Sequence, residues 1–207
     1  MNIRGLYVIT DPELIPEERL SDAISEVITG GARLVQYRNK NAGHTTRLRQ
    51  AMTIQRVCRD DDVIFIVNDD PELAVEVGAD GVHIGEDDGR LVDTRRTVGP
   101  ERVVGVSCYN DLQRAISAQE QGADYVAFGS FYPSPSKPLA RRASINLLRR
   151  ARQQLQIPIV AIGGISFENG ASLITAGADA LAVIHAVFRE PDFRRAATHM
   201  ASLFTRG

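Results

Sequence analysis

A fourfold repeat constrains the fold of this chain more than any other feature of the sequence. A Gly-Ala dipeptide follows an amphipathic stretch and precedes an apolar run at four places, which begin at Gly31, Gly78, Gly122 and Gly177. Glycine suits the end of a helix because it adopts the left-handed conformation without a steric penalty. The repeat therefore predicts four connections in which a helix ends at glycine and a strand follows.

Four further apolar runs lie between the repeats: residues 6–10, 64–68, 103–107 and 159–163. Together they predict eight short strands, separated by segments long enough to hold a helix. The runs are apolar on both faces, as expected of strands that are covered by helices. This pattern predicts an α/β fold, a (β/α)8 TIM barrel that forms one catalytic domain over residues 1–207. An open doubly wound sheet is the alternative, but a duplicated two-strand unit fits a closed ring better than a sheet with edges.

The composition excludes several classes of partner. The net charge of −2 provides no field that would attract nucleic acid or an anionic membrane. No segment approaches the roughly 20 apolar residues that span a bilayer, and the first ten residues resemble a strand more than a signal peptide. Cys58 and Cys108 lack metal-type spacing, which indicates reduced thiols. We therefore expect a cytoplasmic protein with small-molecule ligands; no feature of the sequence indicates an oligomeric state.

Polar residues are concentrated where the predicted strands end. Active sites of TIM barrels lie at the C-terminal ends of the strands. The predicted ends are Thr10-Asp11, QYRNK (36–40), Asn68-Asp69-Asp70, Asp87-Asp88, Ser107, GSFYPSPSKP (129–138), Gly163-Gly164 and Ile184-His185. The opposite ends carry Gly-Ala-Asp turns, for which we predict little chemistry. This asymmetry predicts a site at the C-terminal end of the barrel.

The second predicted strand ends in hydrogen-bond donors. Side chains alternate along a strand, so three donors share one face: Gln36, Arg38 and Lys40. An amide, a guanidinium and an ammonium that point the same way indicate an anion site. A solvated rim without a ligand is the alternative interpretation.

Asp69 and Asp88 follow the third and fourth predicted strands. Mg²⁺ prefers one or two carboxylates together with phosphate oxygens, so these residues predict a magnesium site between the donors and a phosphate-rich ligand. No Cys or His is placed to favour zinc. The same NDDPE segment also fits a helix start, with Asp70 as N-cap and Pro71 at the first helical position.

The later strand ends predict a second anion site. Gly163 and Gly164 would let backbone N–H groups approach a phosphate, which TIM barrels often bind after strands 7 and 8. We interpret His83, inside a strand, as structural, whereas His185 is a possible ligand contact. No nucleophile–base pair is present. Two phosphorylated substrates, or one bisphosphate, would fill the two sites.

At these residues the sequence resembles the thiamine phosphate synthase family. The matching segments run in order over nearly the whole chain: GLYVITD, QYRNK, VNDDPELAVEVGADGVHIGEDD, GVSCYN, FGSFYPSPSK, IVAIGGI and ALAVIHAVF. The resemblance implies a (β/α)8 barrel and a transferase that requires Mg²⁺. Its reaction would join 4-amino-2-methyl-5-(diphosphooxymethyl)pyrimidine to thiazole phosphate, giving thiamine phosphate and diphosphate.

The resemblance also implies roles for the residues at the first anion site. The pyrimidine diphosphate would be bound by Gln36, Tyr37, Arg38, Asn39, Lys40 and Asn68. Asp69 and Asp88 would hold Mg²⁺. Ser107 and Lys137 would contact the departing diphosphate, and together with Arg38 and Lys40 they are the predicted catalytic residues.

At the second site, the resemblance implies contacts to the thiazole phosphate. Ser134, Pro135 and Ser136 would touch this substrate, and Gly164, Ile184 and His185 would cradle its phosphate. The family usually has serine where this chain has His185. A backbone N–H contact would survive that difference, whereas a hydroxyl contact would not.

The implied mechanism needs no protein nucleophile, because the aminopyrimidine can stabilise a cation while the C–O bond breaks.

Two alternative functions remain open. A thiazole tautomerase shares the barrel but has no need of a complete pyrimidine-diphosphate site. A phosphate-sensing barrel without catalytic activity would need anion contacts but not two Mg²⁺ carboxylates.

Overall fold

The predicted apolar runs form parallel strands that pair in sequence order and close into an eight-stranded barrel, so the TIM-barrel prediction is confirmed. The computed structural model describes residues 2–86, 89–133 and 141–205. The strands are β1 (Gly5–Ile9), β2 (Ala32–Tyr37), β3 (Ile64–Asn68), β4 (Gly81–Ile84), β5 (Val103–Tyr109), β6 (Tyr125–Phe128), β7 (Ile159–Ile162) and β8 (Ala180–Val183).

Helices follow the strands around the outside of the barrel. They are α1 (Leu20–Thr29), α2 (His44–Asp60), α3 (Pro71–Glu76), α4 (Leu91–Val98), α5 (Leu112–Glu120), α6 (Ile145–Gln154), α7 (Phe167–Thr175), α8 (His185–Phe188) and α9 (Phe193–Ala201), with 3₁₀ segments at Glu17–Arg19 and Ser202–Phe204. Within the described ranges, every helix is too short or too polar to cross a lipid bilayer. The last strand is shorter than predicted, because β8 ends at Val183 and His185 is already the first residue of α8.

Side-chain alternation divides the buried residues into two cores. Along β1, Tyr7 and Ile9 belong to a core inside the barrel, whereas Leu6 and Val8 pack with the surrounding helices. The inner core also receives Leu34, Ile66 and Val160 from other strands, among further residues. Both cysteines are buried and free, and burial raises the pKa of Cys108 to about 12. This fold leaves inward positions near the strand ends available for a site.

The Gly-Ala repeat ends helices as predicted, since all four of its glycines have positive φ angles: Gly31, Gly78, Gly122 and Gly177. The aspartate of each Gly-Ala-Asp turn has a role that the sequence analysis missed. Each aspartate brackets one residue at the start of a neighbouring strand, which means that it forms two hydrogen bonds with it. The backbone N–H of the aspartate donates to the carbonyl of that residue, and its Oδ2 accepts the N–H of the same residue. The pairs are Asp80 with Phe65, Asp124 with Val104, and Asp179 with Ile159.

These aspartates therefore satisfy backbone groups at the N-terminal end of the barrel, the end opposite the predicted site. Asp179 shows the arrangement fully. Its Oδ2 accepts the Ile159 N–H at 2.8 Å and is also 2.9 Å from Arg152 Nη1. Ile159 is completely buried, so its N–H has no access to water. Buried backbone groups need such partners, because an unpaired one costs free energy.

We predict that Asp179→Ala lowers the free energy of unfolding by about 1–3 kcal/mol, because it leaves the Ile159 N–H and the Arg152 guanidinium without this acceptor. Urea denaturation followed by far-UV circular dichroism measures the change. The control is Asp60→Ala, because the Asp60 carboxylate is exposed and its ion pair with Arg59 is long, at 4.0 Å. We expect its free energy of unfolding to change by no more than about 0.5 kcal/mol. Equal unfolding free energies for the two variants would contradict the bracketing role.

Candidate functional site

A cavity of about 460 Å³ lies at the C-terminal end of the barrel, where the fold predicts a site. It is large enough for small ligands. Each of the eight strands, or the described part of the loop that follows it, contributes to the lining. Described lining residues include Tyr7, Ile9, Gln36, Arg38, Asn68, His83, Ser107, Ala127, Gly129, Val160, Ile162, Gly164, Ala182, Ile184 and His185.

Gln36 and Arg38 reach the cavity as predicted. Gln36 is only 3% exposed, and its Nε2 donates to the Tyr7 hydroxyl at 2.7 Å. The backbone N–H of Arg38 donates to Thr10 Oγ1 at 2.9 Å, which ties this residue to the end of β1. Within residues 2–86, 89–133 and 141–205, no carboxylate forms an ion pair with the Arg38 guanidinium. This guanidinium is therefore available to an anion in the cavity.

Lys40 takes a different position from the one predicted. Its Nζ lies 2.5 Å from Oδ2 of Asp69 at the end of the neighbouring strand, and it is not among the described residues that line the cavity. The three donors of the QYRNK segment thus do not converge on one point. Two of them reach the cavity, and the third pairs with a carboxylate that is itself a predicted metal ligand.

Asp69 and its neighbour have separate roles. Asp70 caps α3, with Oδ1 accepting the Leu73 N–H at 2.9 Å and Oδ2 paired with Arg47 at 2.8 Å, so the N-cap prediction is confirmed. Asp69 adopts a left-handed backbone with φ of 64° and donates its N–H to the His83 carbonyl at 2.8 Å. This conformation is uncommon for aspartate. The Asp69 side chain is 20% exposed, beside Lys40.

Tyr37 and Asn39 point away from the cavity, toward α2. The Tyr37 hydroxyl donates to Gln50 Oε1 at 2.8 Å, and Asn39 Nδ2 donates to the same oxygen at 3.1 Å. Burial raises the pKa of Tyr37 to about 12. The structure therefore does not bring these two predicted substrate contacts to the cavity, because strand alternation turns them to the helix side.

A chain of hydrogen bonds that the sequence did not predict crosses the cavity floor. The Tyr7 and Tyr125 hydroxyls lie 3.0 Å apart, Tyr125 lies 2.9 Å from His83 Nδ1, and His83 Nε2 lies 2.8 Å from Ser107 Oγ. With Gln36 bonded to Tyr7, the chain joins β2, β1, β6, β4 and β5. Burial raises the pKa of both tyrosines well above 10, so both phenols are neutral at physiological pH.

A glycine makes room for the central ring of this chain. A Cβ atom on Gly105 would lie only 2.0 Å from Cζ of Tyr125, so a side chain there would displace the ring. The ring also stacks on His83, with centroids 5.5 Å apart. His83, interpreted from the sequence as structural, thus lines the cavity and contacts the predicted catalytic Ser107. The available sequence signal was a polar residue at an inward position of an otherwise apolar strand.

The second predicted anion site lies along β7 and β8. Gly164 and His185 line the cavity. A Cβ atom on Gly164 would lie 2.3 Å from the carbonyl oxygen of Pro133, so this glycine also admits the segment that follows β6. Burial, with a further contribution from Arg189, holds the pKa of His185 below its usual value. His185 is therefore neutral at pH 7, and its imidazole offers a hydrogen bond rather than a positive charge.

Part of the predicted site lies outside the described residues, namely Asp88 and the loop residues Ser134, Pro135, Ser136 and Lys137. In the described part of the chain, no three His, Cys, Asp or Glu side chains come together as a metal cluster. Asp69 nevertheless fits Mg²⁺, because this ion takes one or two carboxylate oxygens and completes its coordination with water and substrate phosphates.

We predict that Tyr125→Phe destabilises the protein by about 1–3 kcal/mol, because it removes the buried hydroxyl that bonds both Tyr7 and His83. Urea denaturation measures the difference. Tyr132→Phe is the matched control, since among the described residues the Tyr132 hydroxyl makes only long contacts, of 3.4 Å to Asn169 and 3.4 Å to Ser172. Equal stability of the two variants would show that the floor network contributes nothing.

Comparison with known proteins gives consistent results. Residues 6–187 match the profile of a family described as Thiamine monophosphate synthase. The chain is 49% identical over 196 residues to the thiamine-phosphate synthase of Nitrosococcus oceani, covering 95% of this chain and 90% of that protein. It is 50% identical over 190 residues to the enzyme of the same name from Alcanivorax borkumensis, covering 92% and 88%.

Solved structures show the same relationship. A thiamine phosphate pyrophosphorylase from Pyrococcus furiosus superposes with a TM-score of 0.90 and 34% identity, covering 99% of this chain and 96% of that one. A geranylgeranylglyceryl phosphate synthase from Thermoplasma acidophilum, at 18% identity and a TM-score of 0.73, shares the fold. The chain belongs to the thiamine monophosphate synthase family.

Proposed function

We propose that the chain is a thiamine-phosphate synthase, a transferase that joins the diphosphooxymethyl pyrimidine to thiazole phosphate with release of diphosphate. One observation carries the proposal. A single cavity presents the Arg38 guanidinium and the Ser107 hydroxyl together with Gly164 and His185, so it can receive two phosphorylated groups. The relatives named above support the same activity. We place the reaction in the cytoplasm, in keeping with two free, buried cysteines.

The diphosphate of the pyrimidine substrate would lie against β2, β3 and β5. Arg38 offers a planar fork of donors that matches phosphate oxygens. Asn68 adds an amide beside it on the cavity wall. Lys137, from the loop after β6, would add a positive charge, and Lys40 would contribute once a ligand draws it from Asp69. These groups would stabilise the charge that grows on the departing diphosphate, which is where fixed donors accelerate a reaction most.

Asp69, together with Asp88, would hold Mg²⁺. When bound, this ion supplies positive charge that neutralises the substrate's phosphate oxygens. In the absence of ligand, the Asp69 carboxylate is paired with the Lys40 ammonium. Asp69 is held by the backbone bond to His83, so its carboxylate stays at the end of β3.

The floor network would orient Ser107. Gln36 Nε2 can only donate, so the Tyr7 hydroxyl accepts from it and is free to donate to Tyr125. Tyr125 can then donate to His83 Nδ1, and the Nε2 proton of His83 can donate to Ser107 Oγ. In this direction, the Ser107 hydroxyl proton remains available for a phosphate oxygen of the leaving group.

The bond-breaking step would need no protein nucleophile. The C–O bond of the pyrimidine diphosphate breaks, the electron pair leaves with diphosphate, and the aminopyrimidine stabilises the cation at its exocyclic methylene. The thiazole nitrogen, held alongside, then attacks this carbon. Backbone N–H groups near Gly164, Ile184 and His185 would hold the thiazole phosphate, with Ser134, Pro135 and Ser136 closing over this substrate.

Incubation of the protein with both substrates and Mg²⁺ tests the proposal. We expect thiamine phosphate and diphosphate in equal amounts, and no product when EDTA removes the metal. Product formation that is unaffected by EDTA would contradict the metal site. Failure to form thiamine phosphate with both substrates at saturation would overturn the proposed function and favour a tautomerase or a non-catalytic barrel.

Variants of the same assay test the residue roles. We expect Asp69→Ala and Lys137→Ala each to lower kcat by about 10²–10³, the range observed when a single group that stabilises transition-state charge is removed. Asp60→Ala, on the exposed end of α2, should retain wild-type turnover. Near wild-type kcat in both site variants would contradict the mechanism while leaving the activity itself intact.

A further inference from the structure

We propose that Gln50 on α2 is a positioning residue for the diphosphate site, although its side chain faces away from the cavity. It holds the segment 37–39 against the helix so that Arg38 points inward. The inference rests on the proposed function for the identity of the substrate, but its geometry is independent of that proposal.

The segment needs support because the strand ends before it. The last β2 residue paired with β3 is Tyr37, opposite Val67. Residues 38–40 therefore lie beyond these ladder hydrogen bonds, and side chains must fix their path. Thr10 holds Arg38 from the β1 side, accepting its N–H at 2.9 Å. Gln50 supplies the corresponding restraint from the helix side.

Gln50 binds alternate residues of the segment. Its Oε1 accepts from the Tyr37 hydroxyl at 2.8 Å and from Asn39 Nδ2 at 3.1 Å. Alternate residues of an extended chain share one face, so fixing 37 and 39 to the helix turns 38 toward the cavity. The oxygen accepts two bonds, which fills the capacity of an amide carbonyl.

A carboxylate fixes the orientation of this amide. Gln50 Nε2 donates to Glu17 Oε2 at 3.1 Å, while Arg49 binds Oε1 of Glu17 through Nε at 2.7 Å and Nη2 at 2.6 Å. A carboxylate only accepts hydrogen bonds, so the NH₂ group of Gln50 must face Glu17 and its oxygen must face Tyr37 and Asn39. The hydrogen bond from Arg49, with a further contribution from Gln50, lowers the pKa of Glu17, in keeping with an ionised anchor.

Replacing Gln50 tests this role. Gln50→Leu keeps the approximate size of the side chain but removes both hydrogen-bonding groups. We expect the KM for the pyrimidine diphosphate to rise about tenfold, because Arg38 is no longer held in position. The KM for thiazole phosphate should change less than twofold. Gln55→Leu, the same substitution one and a half turns along α2, is the matched control and should change neither value.

An exchange of the two side chains provides a rescue. In the double variant Gln50→Glu with Glu17→Gln, the carboxylate at 50 can accept from Tyr37, Asn39 and the new amide at 17, whose oxygen can accept from Arg49. We expect this pair to restore the wild-type KM, whereas Gln50→Glu alone opposes two carboxylates and should not. Failure of the exchange to improve on the single variant would count against the proposed hydrogen-bond geometry.

Binding of inorganic diphosphate with Mg²⁺, measured by calorimetry, separates this inference from the proposed function. We expect Gln50→Leu to bind about tenfold more weakly than the wild type and Gln55→Leu to match it. If the wild type binds diphosphate but forms no thiamine phosphate, the proposed function fails and this comparison still decides the role of Gln50. Unchanged diphosphate affinity in Gln50→Leu, or an equal rise in both KM values with a lowered Tm, would overturn the positioning role.

Discussion

The alternation of side chains along each barrel strand is the constraint on which the rest of this structure depends. One set of side chains must fill the barrel, and the other must pack against the helices. Tyr7 and Leu6 illustrate the division on β1, since the first lies in the inner core and the second in the outer core. At the C-terminal ends the same alternation continues with polar residues. Inward positions then become the cavity wall, and outward positions become anchors to the helices.

The two ends of the barrel use aspartate differently. At the N-terminal end, Asp80, Asp124 and Asp179 bracket backbone groups of neighbouring strands, which stabilises barrel closure. At the C-terminal end, Asp69 pairs with a lysine near the cavity mouth. The first group satisfies buried backbone donors. Asp69 instead lies where a ligand can compete for Lys40. The Asp69 carboxylate and the Lys40 ammonium are therefore both placed to bind a ligand.

Local patterns in the sequence predicted the fold well. The apolar runs and the helix-ending glycines depend on neighbouring residues alone, as does the Asp70 cap, and all of these were correctly predicted. The contacts that were missed join residues distant in sequence. Tyr7 meets Tyr125 across 118 positions and Gln50 meets Tyr37 across 13. A prediction from single strands cannot say which inward residues meet once the ring closes.

Contacts with neighbouring elements also decide where the side chains of the QYRNK segment lie. Alternation correctly placed Gln36 and Arg38 on one face, but the position of Lys40 depended on the carboxylate at the end of the next strand. Tyr37 and Asn39 were predicted as substrate contacts because the sequence does not show α2 beside them. Both donate hydrogen bonds to Gln50 on this helix. The predicted roles of Ser134, Ser136 and Lys137 depend on the family resemblance, whereas that of Asp88 also follows from its place after the fourth predicted strand. All of them remain predictions.

A crystal structure of the protein with thiamine phosphate, diphosphate and Mg²⁺ bound tests the central claim most directly. The account predicts electron density for diphosphate in contact with the Arg38 guanidinium and the Ser107 hydroxyl, with the phosphate of thiamine phosphate beside the backbone of Gly164 and His185. Density for either ligand at the opposite end of the barrel, or a diphosphate that touches neither Arg38 nor Ser107, would contradict it.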